Sequence, residues 1–423
     1  MMLQEKKLII QPQAIIEYIW AFFVILNGNS VYHASAGRDY HFPLICTILS
    51  ALLLLTISKS SRIKERRVLL TTILLAIYCF IYFIIKYNTV SKEIYFLGYV
   101  ISLPLLFLYF VTLKRIGKIE ILFARLENIV LILAVVSLIV WLSGPIFNII
   151  APNTEMVISW GRLRTIEGYF GIQYITQYDN TIIKGLVRNT SIFCEGPMFS
   201  LWLSIALSTE MFLKEKSSWK KICILVVTIV TTTSVTGVFT IAICLGLKYI
   251  MSVDSIKKRK FVLISLLCLT CLPIIGFFIY DIIVNKMATA SYLIRMQDYV
   301  AGFLLWKNNP ILGGGFGNLS TLQKYILNSI TTNVGFSNSV MAILGTGGLW
   351  NFFIYIISVI APMLGNYEKK KHRVAFALIY CFLTITTIFF ARYIAVVFIA
   401  FGVASLPIFG NREEGDSIEK TLY

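Results

Sequence analysis

The stretch "ICILVVTIVTTTSVTGVFTIAICLGLKYIM" (222–251) decides how this chain is laid out. Basic clusters flank it on both sides, "KEKSSWKK" (214–221) before it and "IKKRK" (256–260) after it. It is long for one membrane-crossing helix, which needs about 20 residues to cover roughly 30 Å of hydrocarbon. Lys and Arg clusters beside apolar spans stay on the cytoplasmic side. A segment bounded by cytoplasmic charge at each end must cross an even number of times. We therefore read two short spans that break near Ser234-Val-Thr-Gly237 at the outer side, where non-helical backbone needs protein-lined or wet surroundings. A single tilted helix is the other reading, and it would invert everything downstream.

Working outward, apolar stretches of spanning length recur along the chain, near 14–31, 42–58, 68–86, 95–113, 128–150, 196–213, 222–234, 237–251, 261–280, 338–363, 374–391 and 393–411. The expected fold class is an all-α polytopic membrane protein of about twelve transmembrane helices, with two large extracytoplasmic loops containing short amphipathic helices. A hydrophobic share of 57% and a mean hydropathy of +0.79 exceed what a soluble core of 423 residues requires. The chain reads as a single integral membrane domain, 1–423, whose first span is retained rather than cleaved as a signal peptide. "KSSRIKERR" (59–67), "KRIGKIEILFAR" (114–125) and "EKKKHR" (368–373) join the two clusters above on the cytoplasmic face, which puts both termini inside. On this map 26 of the 38 basic residues are cytoplasmic, so the net charge of +17 is a topology signal and no nucleic-acid partner is expected. Most of the eight cysteines fall inside expected spans as small apolar residues, and Cys268-Leu-Thr-Cys271 lacks the second pair a metal site would need.

The segments 151–195 and 281–337 are too long to be mere connectors, and they are rich in aromatic residues. The first holds Arg162, Arg164, Lys184 and Arg188 against Glu155, Glu167, Asp179 and Glu195. The planar guanidinium suits a phosphate or carboxylate; pairing with the loop's own acids is the alternative for each arginine. Arg188 stands out because it precedes Glu195-Gly196-Pro197 at the mouth of the next span. In the second loop Tyr292, Met296, Tyr299, Val300 and Phe303 recur at helical spacing, while Arg295 and Asp298 share another face with Gly302. This describes an amphipathic helix in the outer interface, with Trp306 as its aromatic anchor and Arg295 towards the headgroups. "NPILGGGFGN" (309–318) fails the dinucleotide and Walker spacings, leaving Gly313 and Gly315 either as an anion nest or as plain bend geometry.

Taken in order, four pieces resemble the Wzy-type O-antigen and capsular polysaccharide repeat-unit polymerases and the related O-antigen ligases. They are "RNTSIFCEGP" (188–197), "TTTSVTG" (231–237), Ser291 to Arg295 leading through Trp306 to "PILGGGFG", and "SNSVMAILGTGGLW" (337–350). The likeness covers roughly 185–365. It departs from the family pattern where Gly196 separates Glu195 from Pro197, where Val235 replaces an arginine, and where Ser337 replaces a histidine. The chain's histidines are His33, His41 and His372. The resemblance implies an enzyme of the bacterial cytoplasmic membrane that joins undecaprenyl-diphosphate-linked oligosaccharide repeat units at the outer face. Membrane lipid and a polysaccharide chain-length regulator are the implied partners. Arg188 and Arg295 would stabilise the leaving diphosphate, and Glu195 would activate the acceptor hydroxyl, with Glu167 or Asp298 as alternatives. Arg162, Arg164, Glu167, Asp298, Trp306, Gly313, Gly315 and Asn338 would line the substrate. No cofactor is expected, and the lack of an Asp-x-Asp motif argues against a metal. The competing readings are an O-antigen ligase and a lipid-linked oligosaccharide flippase. Against a flippase stand the absence of repeated halves and the position of Glu17 and Glu210 near cytoplasmic ends, within reach of water.

Overall fold

The computed structural model describes residues 12–36, 41–57, 65–179, 185–252, 290–326, 336–364 and 370–409, with the side chains of 290–295 outside that description. The described chain is mostly helical. We number its helices α1 (Pro12–Asn27), α2 (Phe42–Leu55), α3 (Arg66–Ile85), α4 (Lys92–Arg115) and α5 (Ile121–Ile146), then α6 (Gly196–Ser208), α7 (Trp219–Thr231) and α8 (Val235–Ser252). They continue with α9 (Ala290–Asn308), α10 (Ser320–Gln323), α11 (Ser339–Leu364), α12 (Lys370–Thr386) and α13 (Tyr393–Ala404). Helices α3, α4, α5 and α11 are long and apolar enough to cross a membrane, and shorter apolar helices accompany them. The expected span at 261–280 lies outside the described residues.

The segment 222–251 folds back on itself. Helix α7 ends at Thr231 and α8 begins at Val235, with Thr233 between them in the left-handed region at φ +50°. Lys221, in the first turn of α7, reaches Glu127 Oε1 at 3.5 Å. Lys248, near the end of α8, donates to the Met211 carbonyl at 3.0 Å. Glu127 and Met211 adjoin the same Lys214 cluster, so both outer ends of the helical pair return to one end of the bundle. A single tilted helix could not do this.

That end is knitted by charge. Arg115 pairs with Glu65 at 2.6 Å, Arg373 with Glu120 at 2.8 Å and Arg125 with Glu17 at 2.8 Å. Lys114 donates to the Ala404 and Leu406 carbonyls, satisfying the open end of α13. Glu17 and Glu210 are 1% exposed, so the expectation that water reaches them is corrected. Lysine and arginine side chains solvate them instead, because a carboxylate taken from water needs a paired cation. At the other extreme of exposure, α3 leaves Leu70, Ile73, Leu74 and Ile84 open on one broad apolar face, which suits a lipid-facing helix.

The first large loop is not helical, which corrects the all-α expectation. Thr154–Trp160 (β1), Arg162–Tyr169 (β2) and Gln173–Tyr174 (β3) form an antiparallel sheet in the order β1-β2-β3, with Thr154 opposite Gly168 and Trp160 opposite Arg162. The signal lay in the sequence. In "TEMVISWGRLRTIEGY" alternate residues, Met156, Ile158 and Trp160 and then Arg164 and Ile166, face the bundle around a hairpin at Gly161, a period of two rather than 3.6. Ile158 and Ile166 pack with Val31, Ala34, Tyr174 and Cys194 in a small core beneath the sheet.

One expected span is cut short and another is broken within. Helix α12 stops at Thr386, and residues 387–392 run without helix until α13 begins at Tyr393. Helix α11 breaks at Gly348, where φ is +62°. The glycine run 313–317 docks into that break. Gly314 N donates to the Gly345 carbonyl at 2.9 Å and Gly315 N to the Thr346 carbonyl at 2.8 Å, while Leu349 N donates back to Pro310. Tyr82 in α3 clips the junction by donating to the Leu312 carbonyl at 2.9 Å and accepting from Phe316 N at 3.1 Å.

Candidate functional site

At the end of the bundle remote from the Lys/Glu clusters, the irregular segments surround one cavity of about 600 Å³. Each large loop contributes to it, with Trp160, Gln177 and Glu195 from the first and Asp298, Phe336 and Ser337 from the second. The connection after α1 adds Asn29, and the unwound stretch 387–392 adds Phe389, Phe390 and Arg392.

Glu195 stands immediately before α6 in extended backbone, φ −152° and ψ 155°. Its Oε1 accepts a hydrogen bond from Trp160 Nε1 at 2.7 Å, so the hairpin delivers an indole to orient the carboxylate. Behind them Arg188 Nε donates to the Thr232 carbonyl at 2.8 Å, in the break between α7 and α8. Its guanidinium also lies against Gly196, where a β-carbon would come within 2.8 Å of Arg188 Nε and 2.6 Å of the Thr232 oxygen. The residue inserted between Glu195 and Pro197 is therefore glycine for a steric reason. Burial lowers the Arg188 guanidinium from its ordinary range, while nearby Asp179 and Glu195 favour its charge. Arg188 joins the first loop to "TTTSVTG" and is absent from the cavity lining.

Arg392 also lines the cavity. Its Nε donates to Asn29 Oδ1 at 2.5 Å, and its Nη1 donates to His33 Nε2. Burial first, then the Arg392 charge, hold the His33 imidazole down at about 3, so it is neutral and free to accept that proton. Burial also lowers Arg392, to about 10, which leaves it protonated at neutral pH. Asn29 takes φ +65°, a conformation that asparagine tolerates, and its amide also donates to the Ile388 carbonyl at 3.3 Å. The turn after α1 and the unwound stretch after α12 are thus tied through one guanidinium.

The sequence-based site residues divide. Glu195 and Asp298 line the cavity, Asp298 only 1% exposed. Asn338 is buried beside the lining residue Ser337 and caps α11, its Oδ1 accepting from Met341 N at 2.8 Å. Arg164 is half-buried on the bundle side of the sheet, Arg162 is exposed next to the hairpin turn, and Glu167 points outward from the exposed face. The side chain of Arg295 lies outside the described residues; its backbone sits one turn ahead of Asp298 on α9. Trp306 packs against Phe303 and is not in the lining. Gly313 and Gly315 spend their amides on protein carbonyls, so the anion-nest alternative gives way to backbone docking.

Helix α9 keeps its two expected faces apart. Asp298 and Gly302 form the face packed on α11, where Gly302 meets Met341 and Gly345, while Met296, Val300 and Phe303 are exposed. The polar face seeks the protein and the apolar face is left to the surroundings, as in lipid. The residues that sequence reasoning passed over are Trp160, Asn29, His33 and Arg392. A signal for Arg392 existed, as the single charge within the apolar run 374–411.

No family model and no curated protein matches this chain.

Proposed function

We propose that the chain is a membrane glycosyltransferase of the repeat-unit polymerase type, joining oligosaccharides carried on undecaprenyl diphosphate at the outer face of the bacterial cytoplasmic membrane. The observation that carries this reading is the cavity shared by the two large loops, in which Glu195 and Asp298 meet the aromatic side chains Trp160, Phe336 and Phe389. Aromatic faces pack on the C–H faces of sugars, and carboxylates accept from their hydroxyls. A volume of about 600 Å³ is in the range of sites that hold a ligand of a few rings. Glu195, oriented by Trp160, is the group placed to take the proton of the attacking hydroxyl, a contribution worth roughly 10²- to 10⁴-fold in rate. Arg188 donates to the Thr232 carbonyl and lies outside the lining, so it is not assigned to the substrate. The order of the four sequence motifs and the positive-inside orientation support the same reading.

The test is polymer length. In a strain lacking the gene, cells should display single repeat units. Long polymer would overturn the reading, complete loss of surface display would favour a flippase, and free polymer unattached to its acceptor would favour a ligase. In a complemented strain Glu195→Gln should reproduce the single-unit phenotype with the protein still in the membrane.

A further inference from the structure

We infer that Arg392, held by Asn29 and His33, is the anion-binding residue of the cavity, and that its ligand is a phosphate or diphosphate ester. This rests on the functional reading above and adds to it the group that receives the departing charge.

Three observations converge. Arg392 lines the cavity, and the two hydrogen bonds it makes go to neutral partners, an amide oxygen and an imidazole nitrogen. Among the described residues no carboxylate lies within ion-pair distance of it, unlike Arg115, Arg125 and Arg373 at the far end of the bundle, each matched with a glutamate. A half-buried guanidinium with no counter-charge is costly to maintain, and the cost falls when an anion enters. Neutral partners on Nε and Nη1 fix the plane of the fork, while no protein acceptor faces Nη2 among the described residues. A fixed fork presenting a free edge suits the oxygens of a phosphate better than a mobile ammonium does.

The position fits as well. Arg392 follows a stretch of irregular backbone, Thr387 to Ala391, that lines the cavity where a continuous helix would have filled it. Ser339 Oγ holds that stretch open, donating to the Thr387 carbonyl at 2.7 Å and accepting from Phe389 N at 2.9 Å. If the proposed transfer operates here, the bond between the anomeric carbon and the diphosphate oxygen breaks with its electron pair going to oxygen. The acceptor oxygen bonds to that carbon, and its proton passes to Glu195. Arg392 holds the released diphosphate and takes no proton.

The experiment uses the full-length protein in detergent, with intrinsic tryptophan fluorescence reporting ligand entry, since Trp160 is the one of its seven tryptophans that lines the cavity. The probes are farnesyl diphosphate, inorganic diphosphate and phosphatidylglycerol. Saturable quenching by farnesyl diphosphate is expected, with inorganic diphosphate competing; a response to phosphatidylglycerol alone would mark a headgroup contact and overturn the assignment. Arg392→Gln should weaken diphosphate binding by about 100-fold and Arg392→Lys by about tenfold, both with the elution profile of the wild type. Should Arg392→Gln fail to fold, Arg392→Lys decides, because it keeps the charge and loses the fork. His33→Gln should weaken binding less than tenfold and leave it detectable. Unchanged affinity in folded Arg392→Lys, or no diphosphate binding by the wild type, would overturn the inference. Failure of the functional reading looks different, namely normal polymer in the gene-deletion strain while diphosphate binding persists and depends on Arg392.

Discussion

At the scale of single residues, the informative positions are those where charge or sterics leave little choice. Gly196 is one. Alanine there would set a methyl against Arg188 and the Thr232 carbonyl, so Gly196→Ala should cost about 1–3 kcal/mol and lower the thermal midpoint in detergent. Under the proposed function it should also shorten polymer, because Glu195 is the adjoining residue. His33 is another, and it makes stability depend on pH. Its imidazole sits at about 3 in the folded protein against an ordinary value near 6.5, so in that window the unfolded chain binds more protons. The contribution is therefore complete above about pH 6.5 and is lost as pH falls towards 3. The midpoint should drop by a few degrees between pH 7.5 and 5, and His33→Gln should flatten that slope. Thr233, β-branched at φ +50°, is strained, and Thr233→Gly should leave stability unchanged or raise it by about 1 kcal/mol. A marked loss on that substitution would mean its side chain does more than occupy the turn.

At the scale of elements, the fold places its irregular backbone where the cavity is. The break in α11 and the glycine run satisfy each other's amides and carbonyls, so neither end of the broken helix is left open inside the protein. Gly348 has φ +62°, and a β-carbon on it would overlap the Ile311 carbonyl. Gly348→Ala should cost about 2–4 kcal/mol, combining a backbone term with a packing term, and should reduce the folded yield more than any change at the exposed Leu163. The helical elements were legible because apolar runs and basic flanks report directly on the membrane. The hairpin at 154–169 was legible too, in its alternation, but a helical expectation for the loop masked it. The docking of 313–317 was not legible, since glycine spacing alone does not distinguish an amide facing an anion from one facing a carbonyl.

At the scale of the whole molecule, charge is partitioned between two ends with different purposes. At one end Lys214 bridges Glu127 and Glu210, which are 0% and 1% exposed, and Lys221 supports it. Removing the bridge leaves two buried carboxylates with Lys221 alone, at 3.5 and 3.9 Å. Lys214→Ala should cost about 3–5 kcal/mol in thermal unfolding, and Glu127→Gln in the same chain should recover part of it. Under the proposed function, polymer made at permissive temperature should keep its normal length, because the cavity is at the other end.

The sequence by itself determined the apolar helices and their basic flanks, favoured two helices over one at 222–251, and marked Glu195 and Asp298 as candidates in two separate loops. Apolar periodicity and the placement of lysine and arginine are local and need no partner to be read. Only the tertiary structure decided which cation faces the cavity. Arg188 and Arg392 carry the same guanidinium, yet one donates to the Thr232 carbonyl outside the cavity lining and the other lines the cavity beside His33 and Asn29, more than 350 positions away in sequence. Whether an arginine reaches the cavity depends on segments that chain folding brings together, and no spacing along the sequence records that.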